Sequence, residues 1–246
     1  GPVKQARLTN EFQNMSSVPL LIGMDAEWGL AMRLDSTFAL PWNMTLGAIQ
    51  DNNLVEEAGA AISKHTKRLG VHFNFAPVVD INTNPNNPII GNRSFGEDKI
   101  NVTEKALAFM NGVHREGVLS SAKHFPGHGD TDLDSHKTLP TVNFSADRIN
   151  EVELYPYREL IQNGLSSVMV AHLNVPELEA KDGKPASLSR SIITDVLKKE
   201  MGFNGLILTD ALDMKGVSRN KEPGEVDLAA FMAGNDVLLM SEDVGK

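Results

Sequence analysis

Short apolar runs, each closed by a polar residue, recur along the chain. Their apolarity is continuous rather than alternating, and they are rich in Val, Ile, Leu and Phe. Continuous apolarity is typical of strands that are buried on both faces of a sheet. The pattern predicts strands over residues 19–25, 72–80, 119–124, 167–172, 205–210 and 236–240.

Stretches with the apolar spacing of a helix lie between these runs. The spacing predicts helices over residues 54–69, 102–116, 149–162 and 189–200. Strands that alternate with helices favour an α/β fold with a parallel sheet, and the length fits a (β/α)8 TIM-like barrel. Because parallel strands point the same way, the residues that close the runs are expected at one rim, the active-site face of such a barrel. They are Asp25, Asp80, His124, His172 and Asp210.

The predicted barrel is incomplete, since the chain supplies six strands where eight are needed. It opens in what reads as a loop and a helix over residues 1–15. An unclosed parallel barrel exposes two sheet edges, so we expect two more strands upstream, or other residues that close the sheet. We expect residues 1–246 to form a single, partial catalytic barrel domain. The long loop at 81–99, rich in Asn and Pro, is expected to be functional.

Composition narrows the class of protein. The chain has 246 residues, of which 41% are hydrophobic and 22% charged, as in an ordinary globular protein. The net charge of −9 argues against a nucleic-acid partner, because phosphates are repelled. No apolar run approaches the roughly 20 residues that span a bilayer. The absence of cysteine excludes disulfides and thiolate metal sites but leaves the cellular compartment open.

Ionisable residues concentrate at 123–136, which holds three histidines, three aspartates and a lysine among glycines and a proline. One interpretation is a metal site, because alternating aspartates resemble the start of a calcium loop. Ser135 and Thr141 argue against it, since they stand where that loop needs glycine and glutamate. A second interpretation is a hydrogen-bonded structural loop. The third is acid/base catalysis by Asp134 and His136, whose spacing lets the carboxylate orient the imidazole.

A second candidate for chemistry is Asp210, which directly follows an apolar strand. At that position its carboxylate is expected to project into the mouth of the barrel. The alternative is a helix N-cap, a role that aspartate fills well after a strand. Asp213 reads as an ordinary turn residue.

Several motifs of the chain together resemble glycoside hydrolase family 3, in its bacterial β-N-acetylglucosaminidase branch. The resemblance extends from residue 19 to residue 240 with the motifs in the same order. It rests on Lys123-His124-Phe125-Pro126-Gly127-His128-Gly129, Asp134-Ser135-His136, Asn92-Arg93-Ser94-Phe95-Gly96 and Leu208-Thr209-Asp210.

One run departs from the single-domain enzymes of peptidoglycan recycling. After Asp25 the chain continues Ala26-Glu27-Trp28-Gly29-Leu30, where those enzymes usually carry Gln-Glu-Gly-Gly-Arg. This variant is more similar to multidomain enzymes of Bacteroidetes-type bacteria. The resemblance therefore implies an additional domain in the full-length chain and favours a periplasmic or other extracytoplasmic location, with the cytoplasm as the alternative.

The resemblance implies a retaining exo-glycosidase that removes terminal β-linked N-acetylglucosamine from peptidoglycan fragments or related glycosides, without a metal or cofactor. Asp210 matches the nucleophile, His136 the acid/base and Asp134 the residue that orients it. Asp80 is interpreted as a supporting residue. Trp28 is interpreted either as an apolar face for a sugar or as packing. Residues that match sugar-binding positions are Asp25, Arg33, Arg93, Lys123, His124 and, more weakly, His172.

Other functions stay open at this point. A β-glucosidase or β-xylosidase of the same family retains Asp210 but does not select the 2-acetamido group. A catalytically decayed sugar-binding barrel and a metal-dependent hydrolase are further alternatives. Hydrolysis is the expected reaction, although phosphate can replace water as the acceptor, because a histidine acid/base repels an anion less than a carboxylate does.

Overall fold

Five parallel strands form the sheet in the computed structural model, which describes residues 1–131, 139–181, 183–218 and 224–241. They pair with one another in chain order. Val237 adds a single parallel bridge to Leu208, so the sixth predicted strand lies beside the fifth. The strands are β1 (Gly23–Met24), β2 (Phe73–Asn74), β3 (Leu119–Phe125), β4 (Ser167–Val170) and β5 (Leu206–Thr209).

Helices occupy the segments between the strands, as the alternating pattern predicts. Residues 1–15, predicted as a loop and a helix, are almost entirely helical. The helices are α1 (Pro2–Met15), α2 (Asn43–Gly47), α3 (Asn52–Lys67), α4 (Lys99–Arg115), α5 (Ala146–Arg148), α6 (Tyr155–Gln162), α7 (Lys215–Ser218) and α8 (Glu225–Ala233). Within the described ranges, none of these helices is both long and apolar enough to cross a bilayer.

The predicted helix at 149–162 is not continuous. α5 passes into a π-helical segment, Ile149–Glu153, before α6 begins at Tyr155. Pro156 has no N–H, so it cannot make the regular hydrogen bond to the carbonyl four residues earlier. The amide of Leu154 instead donates to the Ile149 carbonyl at 2.9 Å, which is a π-type step. The predicted helix at 189–200 is also π-helical, over Ser191–Glu200.

Four of the five strands are shorter than predicted, and β1 and β2 are the shortest, with two residues each. β2 ends at Asn74, and Pro77 follows soon after it and has no N–H to donate to a neighbouring strand. Val78 then rejoins the sheet through an isolated parallel bridge to Lys123. β3 and β4 agree with the prediction of strands buried on both faces, because every residue in them except Leu119 is buried.

Helices α3 and α4 pack against each other at glycines, and α4 also packs against β3. Asp51 and Asp98 cap their first turns by accepting backbone N–H groups at 3.0 and 2.8 Å. A Cβ on Gly112 would lie 1.9 Å from the Glu56 carbonyl oxygen, and one on Gly59 would lie 2.3 Å from that of Phe109. The absence of side chains at these two positions therefore allows the helices to approach.

The Gly112→Ala substitution is expected to lower the free energy of unfolding by about 1–3 kcal/mol, because the backbone of α3 must move to admit the methyl group. This loss outweighs the roughly 1 kcal/mol by which alanine favours a helix over glycine. Urea unfolding of the purified protein measures the difference. The control is Asn111→Ala, at an exposed position of the same helix. An unchanged unfolding midpoint for Gly112→Ala would contradict the close-packing argument.

Candidate active site

A cavity of about 420 Å³ opens where the carboxyl ends of the strands meet. As predicted, the polar residues that follow different strands lie together at this rim. The predicted site residues that line the cavity are Asp25, Arg33, Arg93, Lys123, His124 and Asp210.

The buried carboxylate of Glu27 holds two of the cations of the cavity. Glu27 is fully buried, and its Oε1 lies 2.7 Å from Nη2 of Arg93 and 2.8 Å from Nζ of Lys123. The Arg93 Nε donates to Oε2 at 3.0 Å, which makes the arginine contact bidentate. Burial opposes ionisation of Glu27, but Lys123 and Arg93 outweigh it and lower its pKa to about 2. Glu27 therefore stays charged and fixes both cations.

Asp25 extends this network toward solvent. Its Oδ1 accepts a hydrogen bond from Nζ of Lys123 at 2.9 Å, and its Oδ2 contacts Nη2 of Arg33. Although burial opposes ionisation, Lys123 and Arg33 hold the pKa of Asp25 well below its usual range. Lys123 is only 2% exposed and contacts both Asp25 and Glu27. The lysine thus lies at the floor of the cavity, whereas Arg33 is half exposed at its edge.

Arg93 is placed by the long loop at 81–99, which is anchored at several points. Asn87 accepts the amides of Ile89 and Ile90 and donates to the His128 carbonyl. Ser94 donates to the Asp80 carbonyl at 2.6 Å. The loop then makes a short 3-10 turn, Gly91–Arg93, which delivers the guanidinium to Glu27.

His124 is oriented from both sides of its ring. Its Nδ1 lies 2.7 Å from Oδ2 of Asp80, and its Nε2 lies 3.2 Å from Nη2 of Arg93. Arginine can only donate, so Nε2 accepts and Nδ1–H donates to Asp80. Asp80 also accepts the backbone amides of His124 and His128. Asp80 is 1% exposed, which fits its predicted supporting role.

His128 belongs to the same motif but is buried, with 1% exposure. Its Nδ1 lies 2.5 Å from Oγ1 of Thr131. Burial lowers the pKa of His128 to about 4, although Asp80 acts in the opposite direction. The ring is therefore neutral near pH 7.

Asp210 follows β5 directly and lines the cavity. Its amide donates to the Val170 carbonyl at 2.9 Å, and its Oδ1 accepts the Ala211 N–H at 2.8 Å. Burial opposes ionisation, but nearby His172 and Lys123 and the hydrogen bond from the Ala211 N–H keep the pKa of Asp210 below its usual value. The interpretation of Asp210 as a helix N-cap does not fit, because the next helix, α7, begins only at Lys215.

His172 lies behind the cavity wall rather than in the wall. It is fully buried, with Nδ1 2.7 Å from Oγ of Ser187 and Nε2 2.9 Å from the Ala211 carbonyl oxygen. Among the predicted sugar-binding residues it is the one that does not line the cavity. Its contact with Ala211 places it next to Asp210, so it supports the backbone there.

Two predicted catalytic residues, Asp134 and His136, lie outside the described residues. Glu27 is a site residue that the sequence pattern does not indicate, although it stands two positions after Asp25. Its closeness to Asp25 in sequence is the signal that could have identified it.

Within the described ranges, no group of three or more His, Asp or Glu side chains is arranged to hold a metal ion.

The fold and the cavity define an α/β barrel protein with a strand-end carboxylate beside a cluster of fixed cations. Residues 3–246 match the family model described as the glycosyl hydrolase family 3 N terminal domain. This chain belongs to that family.

Individual relatives agree with this membership. Beta-hexosaminidase A of Pseudoalteromonas piscicida is 40% identical over 243 residues, which cover 93% of this chain and 41% of that protein. The structure of a glycoside hydrolase family 3 beta-N-acetylglucosaminidase from Paenibacillus sp. str. FPU-7 is 40% identical, with a TM-score of 0.92 over 97% of this chain and 46% of that one.

The structure described as beta-glucoside phosphorylase BglX is 30% identical, with a TM-score of 0.93 over 97% of this chain and 45% of that one. The chain thus spans less than half the length of each of these three proteins. The predicted barrel class and the predicted family are confirmed.

The Glu27→Gln substitution is expected to lower the free energy of unfolding at neutral pH by about 3–5 kcal/mol, because it leaves two buried cations short of a partner. A carboxyl group whose pKa is lower in the folded than in the unfolded protein stabilises the folded state at pH values above the unfolded pKa. This stabilisation is lost as the pH falls toward the folded pKa. Protonation of Glu27 should therefore lower the free energy of unfolding of the wild type by about 3 kcal/mol between pH 4.5 and 2. The variant has no carboxyl at this position, so its stability should lack this part of the pH dependence.

Urea unfolding across that pH range measures the effect. Glu57→Gln is the matched control, since Glu57 also pairs with an arginine but is 63% exposed. Its effect should stay within about 1 kcal/mol. A stability difference between wild type and Glu27→Gln that does not change with pH would contradict the assignment.

Proposed function

We propose that this chain carries the catalytic site of a retaining exo-glycosidase that removes terminal β-linked N-acetylglucosamine from peptidoglycan fragments or related glycosides. The observation that carries the proposal is the position of Asp210, an ionised carboxylate in a cavity lined by fixed cations. The similarity to a beta-hexosaminidase and a beta-N-acetylglucosaminidase supports the choice of sugar. We infer that residues 1–246 belong to one catalytic barrel.

In this proposal Asp210 is the nucleophile. One carboxylate oxygen bonds to the anomeric carbon while the bond from that carbon to the leaving-group oxygen breaks. The Ala211 N–H holds Oδ1 at 2.8 Å and so orients the carboxylate. The lowered pKa keeps the group ionised at neutral pH, which nucleophilic attack requires.

The charged network of the cavity supplies the ligands for the sugar hydroxyls and the acetamido group. A hydroxyl both donates and accepts, so a carboxylate next to a cation can engage it from two sides. Asp25, Lys123 and Arg93 provide this combination, and Glu27 restrains both cations. Restraint before binding reduces the entropy lost when the sugar is oriented.

The proton for the leaving oxygen is assigned to His136, with Asp134 as the group that orients it. A histidine can donate this proton near neutral pH and then, as a neutral base, activate the water that releases the sugar. It also avoids a second full negative charge close to Asp210. In this proposal Asp210, at the end of β5, makes the nucleophilic attack, and His136, in the 132–138 segment, transfers the proton.

Asp210→Ala is expected to lower kcat/KM for an aryl β-N-acetylglucosaminide by about 1,000-fold or more, because the covalent intermediate cannot form. Release of the aryl group by the full-length protein, with a chelator present, is the measurement. Asp213→Ala is the control, since Asp213 is an exposed residue three positions away. Equal activity of Asp210→Ala and wild type would contradict the assignment of the nucleophile.

The same assay separates this function from its alternatives. Faster release from the matched β-glucoside would assign the site to a β-glucosidase. The similarity to a beta-glucoside phosphorylase makes phosphate the second acceptor to test. Accumulation of a sugar 1-phosphate when inorganic phosphate is added would identify a phosphorylase, whereas free sugar identifies a hydrolase.

His136→Ala is expected to lower kcat/KM about 100-fold or more for a glycoside with a poor leaving group, because general acid catalysis is lost. The loss should be much smaller for the 2,4-dinitrophenyl glycoside, whose leaving group needs no proton. His65→Ala, at an exposed position on α3, is the control. Equal losses on both substrates would argue against His136 as the acid.

A further inference from the structure

We propose that Trp28, supported from behind by Trp42, forms the subsite for the leaving group, and that this subsite takes a second pyranose ring. The proposal rests on the function proposed above and specifies the class of substrate. Trp28 lines the same cavity as Asp210 and the charged network around Lys123.

The two tryptophans form one aromatic unit. Their ring centroids are 4.1 Å apart, with the planes inclined by 42°. Trp28 lines the cavity, whereas Trp42 does not line it and is 44% exposed. The Trp28 carbonyl accepts the Leu40 amide at 3.0 Å, which ties the backbone to the segment that leads to Trp42. The Trp28 ring is therefore backed and anchored, as a binding surface has to be.

Depth divides the cavity into a charged floor and a more exposed outer part, where apolar side chains lie together with Arg33 at the edge. Lys123 and His124, with side chains 2% and 7% exposed, lie at the floor beside Asp210. Trp28, Met32 and Ile89 are more exposed and supply an apolar part of the wall. An exo-acting enzyme encloses the sugar that it removes and leaves the other side of the bond toward the opening. The polar floor thus suits the terminal sugar, and the apolar wall suits the leaving group.

The apolar wall around Trp28 favours a leaving group that contains a sugar ring. A pyranose carries C–H groups on one face, and these pack against an aromatic ring while the hydroxyls stay hydrated. A leaving group without a ring presents less flat C–H surface and makes a smaller contact. In this proposal the disaccharide of two β-linked N-acetylglucosamine units places its terminal ring at the floor and its second ring against Trp28.

The kinetic test compares two substrates that share the terminal sugar. One is N,N'-diacetylchitobiose, and the other is the β-glycosyl fluoride, whose leaving group has no ring. In the full-length protein, Trp28→Ala should reduce kcat/KM about tenfold more for the disaccharide than for the fluoride. Trp28→Phe should retain most of the preference. Phe38→Ala, which removes an exposed aromatic outside the cavity lining, is the control.

A binding test separates failure of this proposal from failure of the proposed function. In the Asp210→Ala protein, tryptophan emission is titrated with the disaccharide and with N-acetylglucosamine, and the same titrations are run with Trp28→Phe added. The disaccharide should change the Trp28-dependent emission more than the monosaccharide does. Trp28 and Trp42 are the two tryptophans of these 246 residues.

Three results would overturn the subsite. They are equal losses on both substrates, no loss on either, and disaccharide binding that leaves the Trp28-dependent emission unchanged. If wild type cleaves neither substrate, the proposed hydrolysis is wrong, and the emission titration alone decides whether Trp28 binds a second ring.

Discussion

The site depends on the charge of one fully buried carboxylate, that of Glu27. Burying a carboxylate costs several kcal/mol unless opposite charges compensate it. Arg93 and Lys123 supply that compensation at 2.7 and 2.8 Å. The three residues come from the end of β1, from the 81–99 loop and from the end of β3, so their electrostatic interaction joins separate parts of the chain. Any shift that separates them leaves a charge buried and unpaired.

This constraint also sets the electrostatics of the cavity. Lys123 is shared between Glu27 and Asp25, and Arg93 between Glu27 and His124. Each cation is therefore already oriented and partly neutralised where it faces the cavity. Within the described residues, Asp210 makes no hydrogen bond to Lys123 or Arg93. The positive charge of Lys123 nevertheless helps to lower the pKa of Asp210. Its carboxylate is ionised but remains available to react.

The fold and most of the rim could be predicted from the sequence because they follow from local patterns. A buried parallel strand reads as an apolar run, and the residue that closes it, such as Asp80 or Asp210, has to lie at the rim. The role of Glu27 could not be predicted in this way, since it depends on Arg93, 66 positions away. His172 was placed on the correct strand end, but its full burial behind Ala211 depends on packing with Ser187. The apolar spacing at 149–162 correctly predicts a helix, but it does not show the π-helical segment before Pro156, which depends on the hydrogen bonding of the backbone there.

The contacts of the cavity also bear on the source of the catalytic proton. His128 is buried and neutral, with Nδ1 on Thr131. His124 directs its Nδ1–H to Asp80 and accepts from Arg93 through Nε2, so that ring has no proton to offer a leaving oxygen. Lys123 is committed to two carboxylates, which raise its pKa although burial acts against them, and this makes it a poor acid. Within the described ranges, the histidines and the lysine that line the cavity are thus engaged in its network of hydrogen bonds and ion pairs. A general acid supplied by a separate segment, as proposed for His136, is the arrangement that leaves this preorganised network intact while a proton moves.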